Sequence, residues 1–226
     1  MAKEVKKENE AVVNAVSKTE QFLEENKKII WGILGAIVVI AGISYLCYKF
    51  VYVPKKAEAL AQMSEAEANF RAGNYELALN GDGNVLGFEE IISDYGSKAG
   101  KAVYLYAAIC KLEIADTTGN ANDEALKYLS KYSTDDQIMA GRAEALKGDA
   151  YCNKGEYAKA ASCFIKAADI SDDVFSATYL LKAGQAYEAD GNDAKALAAY
   201  KEIKDNYPQS MEAYDIDKYI TRLEVK

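Results

Sequence analysis

Ile29 to Tyr48 reads IIWGILGAIVVIAGISYLCY, twenty residues without a charge. As a helix rising 1.5 Å per residue this stretch is about 30 Å long, the hydrocarbon thickness of a bilayer. Lys27 and Lys28 bound one end, and Lys49, Lys55 and Lys56 bound the other. Trp31 sits near the first boundary, and Tyr45, Tyr48 and Tyr52 cluster at the second, where amphipathic rings meet headgroups. A soluble buried helix rarely lacks charge on every face over such a length. A signal peptide would start nearer Met1, carry a shorter apolar core and end in small residues. The expectation is a charged tail over 1–28, a transmembrane helix over 29–53, and a separate domain over 57–226. Gly32 and Ala36 form a small-xxx-small pair, with Gly35 and Gly42 nearby, so a homodimer through this helix is an option. Close to the helix ends, three basic residues precede it (18, 27, 28) and three follow it (49, 55, 56), so charge counting does not orient it.

Charge separates the remaining chain from its anchor. The formal total is −8; residues 1–28 balance and residues 29–56 hold +3, which leaves −11 for residues 57–226. A domain that acidic repels phosphate backbones, which argues against nucleic acid as a partner. There is no histidine, which removes His-dependent triads and most zinc sites. Cys47, Cys110, Cys152 and Cys163 form no C-x-x-C pair and read as small buried side chains.

Beyond the anchor the chain repeats itself. A shift of 36 residues superimposes Gly148 on Gly184, Tyr151 on Tyr187, Gly155 on Gly191, Ala160 on Ala196 and Phe164 on Tyr200. Glycine within a helix costs up to about 1 kcal/mol against alanine, so close packing must offset Gly148 and Gly184. Gly155 and Gly191 suit a helix C-terminus. Ala160 and Ala196 are small at a crossing, and the aromatic four residues later lies on the same face. These spacings resemble the tetratricopeptide repeat, a 34-residue helix–turn–helix unit. Pro208 takes the place of its closing proline, while Asp172 stands there one unit earlier. The two extra residues of the shift fall around Asp172 and Asp173.

Two degenerate units come first. Gly73, Tyr75 and Ala78 match a turn and the start of a second helix, and NGDGNVLG (80–87) interrupts that helix. Tyr104 to Ala115 and Glu124 to Tyr132 form the next pair. The expected units run over about 59–96, 101–134, 141–174 and 177–210, with a capping helix over 211–226. The fold class is all-α: one N-terminal transmembrane helix and a tetratricopeptide-type solenoid with a C-terminal cap. Asn80 to Asn84 resembles the start of a calcium loop, but Ile91 stands where an EF-hand needs its bidentate glutamate. No metal, cofactor or catalytic set is expected. The carboxylates Asp149, Glu156, Glu188, Asp190 and Asp193 read as a solvated face, and no nucleotide or nucleophile motif is present.

By repeat position the groove would show Met63, Glu67, Leu105, Ile109, Leu112, Asp149, Gln185 and Glu188. That sequence reading makes the anchor-proximal half apolar and the distal half acidic; the alternative is that Leu105 and Ile109 simply pack inside degenerate repeats. Tail, anchor and repeats together, including QFLEENKKII, ALNGDG and DIDKYITR, resemble an N-anchored tetratricopeptide protein of the Bacteroides-group cell envelope. In layout this is similar to the YfgM-type ancillary subunit of the Sec translocon. The resemblance implies a bacterial inner-membrane protein with its N-terminus cytoplasmic and its repeats periplasmic. It further implies a scaffold or chaperone-like accessory with protein partners. The alternative, a cytosol-facing receptor for chaperone or targeting sequences, uses a clamp of Lys and Asn, and the expected groove shows no basic pair.

Overall fold

The computed structural model describes residues 26–114, 119–171 and 175–225. Residues 1–25 of the tail expected over 1–28, and the offset at Asp172 and Asp173, lie outside these residues. The chain divides after Pro54 into two units.

In the first unit, α1 spans Lys27–Cys47, 21 residues with none buried. It is long and apolar enough to cross a membrane by length and composition. A π-helical turn, Tyr48–Tyr52, follows. Pro54 lies just beyond it; proline has no N–H to give the carbonyl four residues back and its ring presses on that carbonyl, so a widened turn here has a local cause. Tyr48 and Tyr52 stack at 5.6 Å.

From the helix that begins at this boundary onward, helices pair in sequence. They are α2 (Val53–Arg71), α3 (Tyr75–Asn80), α4 (Phe88–Tyr95), α5 (Ala102–Glu113) and α6 (Ala121–Lys131). Then come α7 (Gln137–Asn153), α8 (Tyr157–Ser171), α9 (Ser176–Ala189), α10 (Asp193–Asn206) and α11 (Met211–Glu224). Each packs chiefly on its chain neighbours, α7 on α8, α8 on α9, α9 on α10 and α10 on α11. The described residues contain no β-strand, and the only bridge joins Gly81 to Leu86.

Three of the pairs turn the same corner. Gly73, Gly155 and Gly191 have φ of +78°, +72° and +77°. Each donates its N–H to the carbonyl three residues back, and the following residue donates to the carbonyl five back (Asn74 to Asn69, Glu156 to Tyr151, Asn192 to Tyr187). This double bond is the Schellman ending, which satisfies the last helix carbonyls and needs a residue in the left-handed region.

The crossings depend on missing side chains. A Cβ built on Gly148 would lie 2.5 Å from the Phe164 ring, and one on Gly184 would lie 2.2 Å from the Tyr200 ring. Both rings are buried, and Ala160 and Ala196 sit beside them fully covered. Tyr151 and Tyr187 pack against the same cluster. Each also carries a lysine ammonium over its ring at 5.4 Å, Lys159 and Lys195, themselves 36 residues apart. Pro208 stands two residues past α10, where its lack of an N–H ends the helix. Ser210 then caps α11 by accepting from the Ala213 N–H.

The first pair fills its core with rings instead. Phe70, Phe88 and Tyr106 meet at centroid distances of 5.0 to 6.3 Å. The loop between α3 and α4 is tightly built: the Asp82 carboxylate accepts from the N–H groups of Asn84 and Val85 at 2.9 Å each. Those bonds hold the Asp82 carboxyl below the usual range. A Cβ on Gly87 would lie 2.3 Å from the Leu79 carbonyl.

One buried carboxylate supports a pH prediction. Glu144 of α7 bonds Lys147 at 2.7 Å and Lys166 of α8 at 2.9 Å. Burial pushes its carboxyl up, but the two ammonium groups together outweigh that and hold it below its ordinary value of 4.5. A carboxylate depressed in the fold contributes stability above its unfolded pKa and loses it as pH falls through the folded one. The melting temperature should therefore drop as pH falls below about 4.5. Glu144→Gln should cost about 1–2 kcal/mol at neutral pH and flatten that acid limb. A variant whose acid limb overlays the wild type would remove Glu144 as a cause.

Candidate protein-binding groove

Two adjoining hollows open on the face shared by α7 and α9. One, of about 330 Å³, is lined by Ile138, Met139, Arg142, Ala145, Leu146, Asp149, Phe175, Tyr179 and Lys182. The other, of about 240 Å³, is lined by Asp149, Cys152, Tyr157, Phe164, Lys182, Gln185, Ala186 and Ala189. Asp149 and Lys182 belong to both, and their ion pair at 2.8 Å forms the rim between them. Ile138 and Phe175 are 47 % and 44 % exposed, so the larger hollow offers apolar surface to solvent. This α7–α9 face therefore combines open apolar ground with a small number of directional polar groups, the composition of a recognition surface.

The expected groove residues divide. Asp149 and Gln185 lie together on the smaller hollow. Glu67 is half-buried beside Arg71 at 3.9 Å. Leu112, also half-buried, borders a different hollow with Lys111, Asn122 and Asn153. Met63, Leu105 and Ile109 are not surface residues: they are 5 %, 3 % and 7 % exposed. Met63 packs in the cluster of Phe88 and Ile91. Leu105 and Ile109 pack with Ala125, Leu129 and Ala143. For Leu105 and Ile109 the reason is that α5 is enclosed on nearly every side. Between Val103 and Cys110 every residue of α5 is buried except Tyr106, which is half-buried.

Glu188 is also committed internally. It accepts from the Tyr200 hydroxyl at 2.6 Å and from Arg222 of α11 at 2.6 and 2.8 Å. Burial, and then the bond to that carboxylate, pushes the Tyr200 phenol well above its ordinary range. Glu188 thus ties α9, α10 and α11 together. The distal acidic half expected of the groove does not stand open: Lys182 holds Asp149, and Arg222 holds Glu188.

Ile138, Arg142, Leu146, Phe175 and Lys182 are exposed or half-buried lining residues that the sequence reading missed, and Tyr179, buried in the wall behind them, was missed as well. A signal for some of them was present. Stepping back from Asp149 by three and seven residues gives Leu146 and Arg142, and stepping back from Gln185 by three gives Lys182, all on one helix face. Among the described residues no group of His, Cys, Asp and Glu is arranged to hold a metal ion. Cys110 is buried among apolar neighbours, which pushes its thiol up to about 12 and leaves little thiolate for chemistry.

Antiparallel helix pairs with a repeated glycine turn and a repeated glycine–aromatic crossing define a helical-repeat protein of the tetratricopeptide type, closed by the cap α11. The tetratricopeptide repeat family model matches residues 178–210, the α9–α10 pair and the turn after it. Repeats of this kind are typically non-enzymatic protein-interaction modules. None of the curated proteins compared with the chain matches it.

Proposed function

We propose that the chain is a membrane-anchored interaction scaffold, a chaperone-like accessory of a cell-envelope complex such as the Sec translocon. The α7–α9 face would hold its protein partner. The observation that carries this reading is the pair of hollows, because they place exposed apolar side chains where a neighbouring chain can cover them. Anchoring is supported by α1, in which no residue is buried. The cell-envelope setting, with the N-terminus cytoplasmic and the repeats periplasmic, rests on the sequence resemblance. A Cβ on Gly32 would meet nothing within 4 Å, so a second anchor helix could approach there.

Photo-crosslinkers at Ile138 and Gln185, with Ser162 on the exposed side of α8 as control, test the groove in native membranes. The reading expects shared partner bands from the first two and not from Ser162. Equal bands from all three, or none from the first two, would reject the groove as the binding surface. For the anchor, the protein should stay in the pellet on carbonate extraction, and protease added to spheroplasts should remove residues beyond about 56. Release by carbonate would refute anchoring, and full protection from protease would invert the orientation.

A further inference from the structure

The larger hollow runs against the charge of its surroundings. Residues 57–226 carry a formal −11, yet the carboxylate on this hollow, Asp149, is already engaged by Lys182. Arg142 lines the same hollow, is exposed, and has no carboxylate within ion-pair distance among the described residues. Tyr106 of α5 lies within the electrostatic reach of Arg142, Arg71 and Glu67. Glu67 itself is beside Arg71, so the nearby acid on that side has a cation of its own.

We propose that this hollow receives a protein segment that joins a bulky apolar side chain to a neighbouring carboxylate side chain. The apolar group would seat against Leu146, Phe175 and Tyr179, and Arg142 would take the carboxylate. The proposal rests on the groove reading above and adds to it the chemistry of the occupant. Covering the exposed parts of Ile138 and Phe175 supplies the hydrophobic share, at roughly 25 cal/mol per Å² removed from water. The guanidinium supplies direction, because its planar fork matches a carboxylate with two parallel bonds. Charges more than about 8 Å away are largely screened at physiological salt, so inside the hollow the local Arg142 outweighs the acidic field of the whole domain. A basic segment meets the like charge of Arg142 at the seat itself, which selects against it.

The test pans the full chain, held in lipid nanodiscs, against a display library of random twelve-residue peptides flanked on both sides, so that no free carboxyl terminus is offered. The consensus peptide is then made, amidated and fluorescently labelled, and titrated against wild type, Arg142→Lys and Arg142→Glu. The expected consensus places Asp or Glu beside Leu, Ile, Phe or Trp. Arg142→Glu should weaken binding about tenfold or more, the scale of one charge-assisted contact, and Arg142→Lys should lie between. Arg142 is exposed, so an unchanged melting temperature is expected to confirm that these variants fold. A consensus without an acid, an acidic peptide bound equally by Arg142→Glu, or no selected peptide at all would overturn the proposal. A photo-crosslinker at Ile138 separates the two levels. Peptides that crosslink there but lack a carboxylate leave the groove standing and remove only the proposed chemistry. Peptides that bind without crosslinking there remove both.

Discussion

Replacing Leu105 and Ile109 together by aspartate is expected to unfold residues 55–226, not to weaken binding by a folded surface. Both side chains are nearly fully covered and pack on Ala125, Leu129 and Ala143. In that apolar surrounding the new carboxylates would have to protonate or drag water into the stack. Buried carboxyls shift by up to about 3–5 pKa units, and each unit is about 1.4 kcal/mol. The lost apolar burial adds about 1.5–3 kcal/mol per residue. Two such changes compare with a whole-domain stability of about 5–15 kcal/mol. Circular dichroism and limited proteolysis of the full chain in detergent should show loss of a cooperative transition and rapid cleavage. Gln185→Asp, on the exposed groove, should stay within about 0.5 kcal/mol of wild type. A double variant that melts like the wild type would put Leu105 and Ile109 back on the surface.

The second large effect reverses an ordinary rule. On an open helix, glycine to alanine gains about 1 kcal/mol of helix propensity. At Gly184 the added methyl would stand 2.2 Å from a Tyr200 ring that is completely buried. The ring cannot slide freely, since its hydroxyl is bonded to Glu188, which Arg222 also holds. Gly184→Ala should therefore destabilise by about 1–3 kcal/mol, and Gly184→Leu by more. Gly148→Leu should behave alike against Phe164, whose ring lies 2.5 Å from the same virtual carbon. Tyr200→Leu makes a cavity when alone, but in the Gly184→Ala background it should recover part of the loss. That coupling of about 0.5–3 kcal/mol distinguishes a clash from a general weakening of the helix. A higher melting temperature for Gly184→Ala would show that the crossing is looser than the geometry states.

How far the chain was legible depends on how local each feature is. The Gly148/Phe164 and Gly184/Tyr200 pairs, the turns at Gly155 and Gly191, and the uncharged run from Ile29 were readable because each is a short-range pattern tied to one physical demand. A left-handed residue must end a Schellman turn, a crossing without room must lose a side chain, and a helix without charge has no face for water. Repetition made the signal stronger, since the same demand recurs 36 residues on. The groove was less legible. Its expected apolar half, at Met63, Leu105 and Ile109, follows the row of each inner helix that faces its partners. In α5, only Tyr106 between Val103 and Cys110 keeps some exposure.

By itself, then, the sequence determined the helical-repeat class, its turns and crossings, and an apolar helix long enough for a membrane. Tertiary structure alone decided which carboxylates remain open. Asp149 and Lys182 stand 33 positions apart, and Glu188 and Arg222 stand 34 apart. Whether such distant charges neutralise one another depends on the angle at which neighbouring repeats stack, which no local spacing encodes. The same stacking leaves Arg142 without a carboxylate partner among the described residues of an acidic domain, because the neighbouring helix brings Tyr106 toward it and the facing one brings Lys182 to Asp149. Side-chain chemistry was written in the chain, but the pairing that cancels it or leaves it available was set by packing between helices distant in sequence.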